Sequence, residues 1–233
     1  MKTLFLLASA FAFFCTVPVK GGEPVKESRN VDPFTSISLN ISADVFLTQG
    51  SPQKIEMEGD SKSLAEIETT VSGGKLKIQT KSRFGGNLGH VSIYITIPEI
   101  DELSVAGSGN ITAKSSLKSD ELDMEVSGSG SVSIKDLDVR EASATITGSG
   151  NINIASGQAQ SELDVVITGS GSFSGEGFSA NEVDVTITGS GSAEVWAVKE
   201  LDTNITGSGN VGYKGNPQVS ANTTGSGRTH SRK

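Results

Sequence analysis

The tripeptide Gly-Ser-Gly recurs through the second half of the chain, beginning at Gly107, Gly128, Gly148, Gly169, Gly189, Gly207 and Gly225. A motif at near-constant spacing marks a repeat architecture, in which each unit stacks on the next. On both sides of the motif the chain alternates apolar and polar residues, which is the period of a strand. "VTITGSGSAEVW", residues 185–196, shows the turn and the alternation together.

Aligning the repeats on the first glycine brings apolar residues into columns. Two residues before it stand Val105, Val126, Ile146, Ile167, Ile187 and Ile205, then Thr223. Four before it stand Leu103, Met124, Ala144, Val165 and Val185, then Thr203 and Ala221. The columns between them are polar. Side chains alternate across a strand, so the apolar columns face one way and form one core. Coils of about 20 residues predict an all-β, single-stranded β-helix, or solenoid. Its tight turns fall at Gly107 and Gly109, Gly128 and Gly130, Gly148 and Gly150, Gly169 and Gly171, Gly189 and Gly191, Gly207 and Gly209, and Gly225 and Gly227. Glycine suits such corners because it accepts positive φ and lets backbones approach closely.

Three segments follow. Residues 1–22 read as a secretory signal: Lys2 is followed by an apolar stretch, Leu4 to Phe14, too short to span a bilayer. Residues 23–98 read as irregular β-coils that cap the body, with a short helix within 61–68. Residues 99–230 are the regular repeat. The basic end, Arg228 to Lys233, reads as a frayed terminus.

Cys15 is the only cysteine and falls in the leader, so the mature chain has neither a disulfide nor a thiolate. The net charge is -8. That balance argues against nucleic acid as a partner. Catalytic constellations are sparse. His90 and His230 are the only histidines, one beside glycines and one in the tail, which is a poor basis for a Ser-His-Asp set or a zinc site. "GSGNVG", residues 207–212, matches a dinucleotide fingerprint but continues as a strand, with no acid after it. Asp123, Asp164, Asp184 and Asp202 share one column, with Glu121, Glu141, Glu162, Glu182 and Glu200 two residues earlier. They are the only candidate Ca²⁺ ligands. The favoured reading makes them solvated edge charges that deter sheet-to-sheet pairing. Tyr94, Trp196 and Tyr213 are scattered in sequence and mark no sugar-binding groove. The expectation is therefore no catalytic residue, no cofactor and no enzyme.

"VDPFTSISLNISADVFLTQG", "IETTVSGGKLKIQTK", "ITIPEIDELSVAGSGNI" and the Gly-Ser-Gly ladder together resemble the autotransporter adhesin head GIN domain family over roughly residues 29–230. The resemblance implies a β-helix like that of pectin lyases, with Gly-Ser-Gly at the turns. It also implies a protein secreted to the periplasm or surface of a Gram-negative bacterium, notably of the Bacteroidetes. The implied role is that of a trimeric adhesin head with an unidentified surface ligand, glycan or protein. The competing reading is a carbohydrate-active enzyme, similar to a polysaccharide lyase, on the same scaffold.

Overall fold

Each repeat closes into one coil, and its strand lies on the equivalent strand of the coil before. The structure, a computed structural model, describes residues 24–81 and 88–232. The expected leader, with Cys15, lies outside the described residues. Of the described residues 74% are strand and 3% helix, wound into a β-solenoid of about six turns.

The regular part runs β8 (Glu102–Gly107), β9 (Asn110–Gly128), β10 (Ser131–Gly148), β11 (Asn151–Ile154), β12 (Gly157–Gly169), β13 (Ser172–Gly189), β14 (Ser192–Gly207), β15 (Asn210–Lys214), β16 (Gln218–Gly225) and β17 (Arg228–Ser231). All pairings among these strands are parallel. Val126, Ile146, Ile167, Ile187 and Ile205 are register partners in succession. All five are buried. The register of β10 slips against β9 between Ile134 and Asp136, and against β12 between Val139 and Glu141. These slips divide the coil into flat stretches 131–134, 137–139 and 141–148.

The two glycines of a turn do different work. Gly189 has φ of 120°, a conformation that side chains with a Cβ avoid, and a Cβ there would also stand 2.5 Å from Gly169 O. Gly191 has no positive φ, but a Cβ there would stand 2.6 Å from Ile167 Cγ2 on the coil before. The turns also hydrogen-bond along the stack: Ser190 N donates to Gly169 O at 2.8 Å, and Ser192 N to Gly171 O at 3.1 Å.

The N-terminal segment supplies β1 (Val25–Arg29), β2 (Ser36–Leu39), β3 (Asp44–Gln49), β4 (Lys54–Gly59), α1 (Ser61–Glu66), β5 (Ile67–Ser72), β6 (Lys75–Thr80) and β7 (Ser92–Ile97). β2 and β3 continue the parallel stack onto β8 and β9 with no Gly-Ser-Gly between them. Beyond them the pairing turns antiparallel, in β4 against β7, β1 against β4 and β5 against β6. α1 packs on β4 and β5 with Leu64 buried. Its N-cap is Asp60, whose carboxylate accepts from Lys62 N at 2.9 Å. Helix and antiparallel strands thus close this end, and one core runs from Phe34 to Val211.

The other end closes by a change of residue type. The inward columns finish on Thr203, Ala221, Thr223 and Thr229, and β16 is exposed throughout. Thr203 is 4% exposed, and its hydroxyl meets that of Thr229 at 2.8 Å across the end of the core. The basic tail, expected to fray, is instead ordered. β17 pairs with β15, and Arg232 N donates to Tyr213 O at 2.7 Å. The Arg232 guanidinium lies between Glu176 and Glu194, with Nε 3.1 Å from Glu194 Oε2. Glu176 reaches that position because β13 is longer than β14 between the partners Ser174/Glu194 and Ser179/Trp196.

Candidate functional site

The flat stretch that begins with the first residues of each coil carries the most distinctive surface. Outward positions Tyr94, Phe46, Thr112, Ser133 and Asn153 are register partners one after another, on β7, β3, β9, β10 and β11. They lie in one row at the strand spacing, about 4.8 Å per step. The Phe46 and Tyr94 rings stack, with centroids 5.3 Å apart and planes 26° apart. Lys114 Nζ lies 4.3 Å from the Phe46 ring centroid, a cation–π contact. Beside the row runs an open groove of about 430 Å³, lined by Thr112, Lys114, Ser133, Lys135, Asn153 and Ala155 among others. Tyr94 is 41% exposed. Among the described residues no carboxylate lies within ion-pair distance of Lys114 or Lys135, whereas Lys54 on the same face pairs with Glu56 at 2.8 Å. Trp196, 39% exposed, lies away from this row, on β14 beside Ser179 and Lys214.

The acidic columns lie on the long stretch. Asp164, Asp184 and Asp202 are successive partners, and Ser143 separates Asp164 from Asp123. Ser143 Oγ donates to Asp123 Oδ1 at 2.6 Å. Burial, then the charge of Asp184, pushes the Asp164 carboxyl above its ordinary value. Glu162 is raised by burial first and then by the neighbouring charge of Asp184. Among the described residues no three His, Cys, Asp or Glu side chains are placed to hold a metal ion. Basic side chains offset only part of the ladder. Arg140 reaches Asp120 at 3.0 Å and also contacts Glu141, and its guanidinium holds the Asp120 carboxyl below its ordinary value.

Sequence spacing hides one constellation. His90 lies between Ser92 and Asp44, with Nε2 3.4 Å from Ser92 Oγ and Nδ1 3.8 Å from Asp44 Oδ2. The order is that of a nucleophile, base and orienting acid. The details differ. The His90 side chain is 80% exposed, Ser92 is buried beneath it, and Asn110 Nδ2 donates to Asp44 Oδ1 at 2.8 Å. At 3.8 Å the carboxylate makes no hydrogen bond that would fix the imidazole tautomer. His230 lies on β17 opposite Gly212, far along the stack.

Gly212, the last glycine of "GSGNVG", lies within a strand and not at the start of a helix. A Cβ there would crowd the Glu194 carboxylate and stand 3.1 Å from Arg232 Nε. The glycine leaves room for the ion pair that anchors the tail. Nothing in the sequence around Gly212 signals a partner as distant as Arg232.

A family model described as "Putative auto-transporter adhesin, head GIN domain" matches residues 33–217. The chain belongs to this family. Among solved structures, the fold is similar to a "putative adhesin" from Bacteroides fragilis, with a TM-score of 0.86 and 24% identity over 91% of this chain and 98% of the other. A "putative lipid binding protein" from Parabacteroides distasonis has a TM-score of 0.75 and 25% identity over 91% and 98%. A "putative adhesin" from Parabacteroides merdae has a TM-score of 0.71 and 25% identity over 91% and 97%. No curated protein matches the sequence. No helix among the described residues is long and apolar enough to cross a membrane.

Proposed function

We propose that this family member is a non-enzymatic binding module, secreted to the periplasm or outer surface of a Gram-negative bacterium, where it engages a surface glycan or protein. The row Tyr94–Phe46–Thr112–Ser133–Asn153 carries the reading. It is a flat, in-register set of ring and hydrogen-bonding groups on a rigid stack, which suits recognition of an extended partner. The family's description, and a solved structure of the same fold described as a "putative adhesin", support the same direction. Self-association, as a homotrimer, belongs to the proposal and draws support from the exposed edge of β16.

Arrays of cell-surface glycans and matrix proteins test it, with binding and product release read in parallel. The proposal expects retention without products. Product release lost in His90→Ala or Ser92→Ala would replace it with an enzymatic reading centred on His90.

A further inference from the structure

The groove and the aromatic pair at its side bring three features together. The first is an exposed aromatic at the groove's side: Tyr94, stacked on Phe46 and two register steps from the lining residue Thr112. The second is a run of neutral hydrogen-bonding side chains, Thr112, Ser133 and Asn153, one per coil. The third is a pair of lysines, Lys114 and Lys135, that line the groove; Lys114 lies over the Phe46 ring, and the Lys135 charge acts on Asp136 beside it without a close ion pair among the described residues. Two neighbouring lysines on a chain of net charge -8 are a local concentration of positive charge. Solvent-exposed lysines on such a surface would gain from any nearby carboxylate, and Lys54 has found one in Glu56.

We infer that this groove is a binding site for an acidic sugar: a pyranose bearing a carboxylate, within an oligosaccharide whose acid groups are spaced apart. The inference rests on the adhesive reading above and gives its ligand a chemical class. Tyr94 supplies an apolar surface for the C–H groups of a ring, and its hydroxyl a polar tip. Thr112, Ser133 and Asn153 offer hydroxyl and amide groups at regular intervals, which matches the regularly spaced hydroxyls of a saccharide. Lys114 and Lys135 take the carboxylate, as charge-assisted hydrogen bonds are the strong ones. The surrounding negative charge disfavours a dense polyanion such as nucleic acid. An acidic peptide would match the lysines but would make no use of the hydroxyl row.

Calorimetric titration of the purified protein tests this with two probes: a hyaluronan tetrasaccharide, in which glucuronate alternates with N-acetylglucosamine, and its neutral counterpart, the tetramer of N-acetylglucosamine. The expected result is tighter binding of the acidic probe, by about tenfold, one decade in Kd being the scale of one good interaction. Lys114→Gln or Lys135→Gln should remove that preference, and Tyr94→Ala should weaken both probes. Trp196→Ala, away from the groove, should leave both unchanged, with circular dichroism confirming that each variant is folded. Equal affinity for the two probes, or an acidic preference that survives the lysine substitutions, overturns the inference. Capture of neutral glycans, acidic peptides or matrix proteins alone overturns it while sparing the adhesive reading; failure to bind any glycan or protein overturns both.

Discussion

Gly191 lies against Ile167: a Cβ on the glycine would stand 2.6 Å from Ile167 Cγ2 and 2.8 Å from Gly171 O. The turn of one coil is thus fitted to the core residue of the coil before it, and the repeated glycine follows from the repeated fit. Gly191→Ala forces the isoleucine or the backbone to move. It should destabilise the fold by about 1–3 kcal/mol, the range for overpacking. Gly189→Ala should cost at least as much, since φ of 120° is held there and a Cβ would also stand 2.5 Å from Gly169 O. Ser190→Ala, on the exposed residue between them, should change stability by less than about 0.5 kcal/mol. Urea unfolding of the three variants measures the difference; equal effects at all three positions would contradict it.

The acidic ladder predicts a pH dependence. Glu162 and Asp164 have carboxyl groups held above their ordinary values by burial first and by Asp184 next. A raised folded-state pKa means that the folded chain holds on to protons that the unfolded chain has released. The ionised groups therefore oppose folding above the raised value, and their cost disappears as pH falls through it. Glu162→Gln and Asp164→Asn should each stabilise the protein at neutral pH, by about 0.5 kcal/mol after allowing for solvent screening. In acid, below the ordinary carboxyl range, variants and wild type should converge. Thermal unfolding across pH reads this, and a variant less stable at neutral pH would contradict it.

Arg232 pins the last strand. Glu194, half-buried, is raised by burial and partly brought back by the Arg232 charge. Arg232→Gln leaves that carboxylate without its cation and should free β17, at a cost of about 1 kcal/mol. Hydrogen exchange should rise at residues 228–231 and stay unchanged at the central coils. Gly212→Ala should give the same local pattern by crowding the ion pair. Uniform loss of protection along the stack would refute the local role.

The threonines that end the core keep the open face of the stack wet. Thr223 continues the column of Ile187 and Ile205, and Thr229 that of Val211. Thr223→Ile with Thr229→Val extends the apolar core to an exposed edge strand, which is a template for pairing. The double variant should show a concentration-dependent increase in mass by light scattering, relative to wild type. No change in mass at high concentration would mean that the end strand is protected by something other than these hydroxyls.

The scaffold was legible because its information is local and repeated. Alternation sets which side chains face inward, and the glycine spacing sets which of them meet, so the stacking of Ile146, Ile167 and Ile187 follows from the sequence. The groove was not legible. Phe46 meets Tyr94 and Lys114, both far off along the chain, and Phe46 and Tyr94 lie on coils that lack the glycine marker, so no spacing announces the contacts. The same holds for His90 with Asp44, which β3 and β7 bring together only by pairing. The ordered tail was hidden because one of its two anchors, Glu176, is set beside the other, Glu194, by the added length of β13, which carries no signal beyond Gly175 and Gly177.

The stack itself is tested most directly by a distance between spin labels at Ser127 and Thr224, in a protein whose only native cysteine, Cys15, has been replaced. The two positions are five successive register steps apart, through Thr147, Thr168, Thr188 and Thr206. At the strand spacing their backbones should lie about 24 Å apart. A single narrow distribution near that distance is predicted. A broad distribution, or a narrow one well away from it, would contradict the coil-on-coil arrangement.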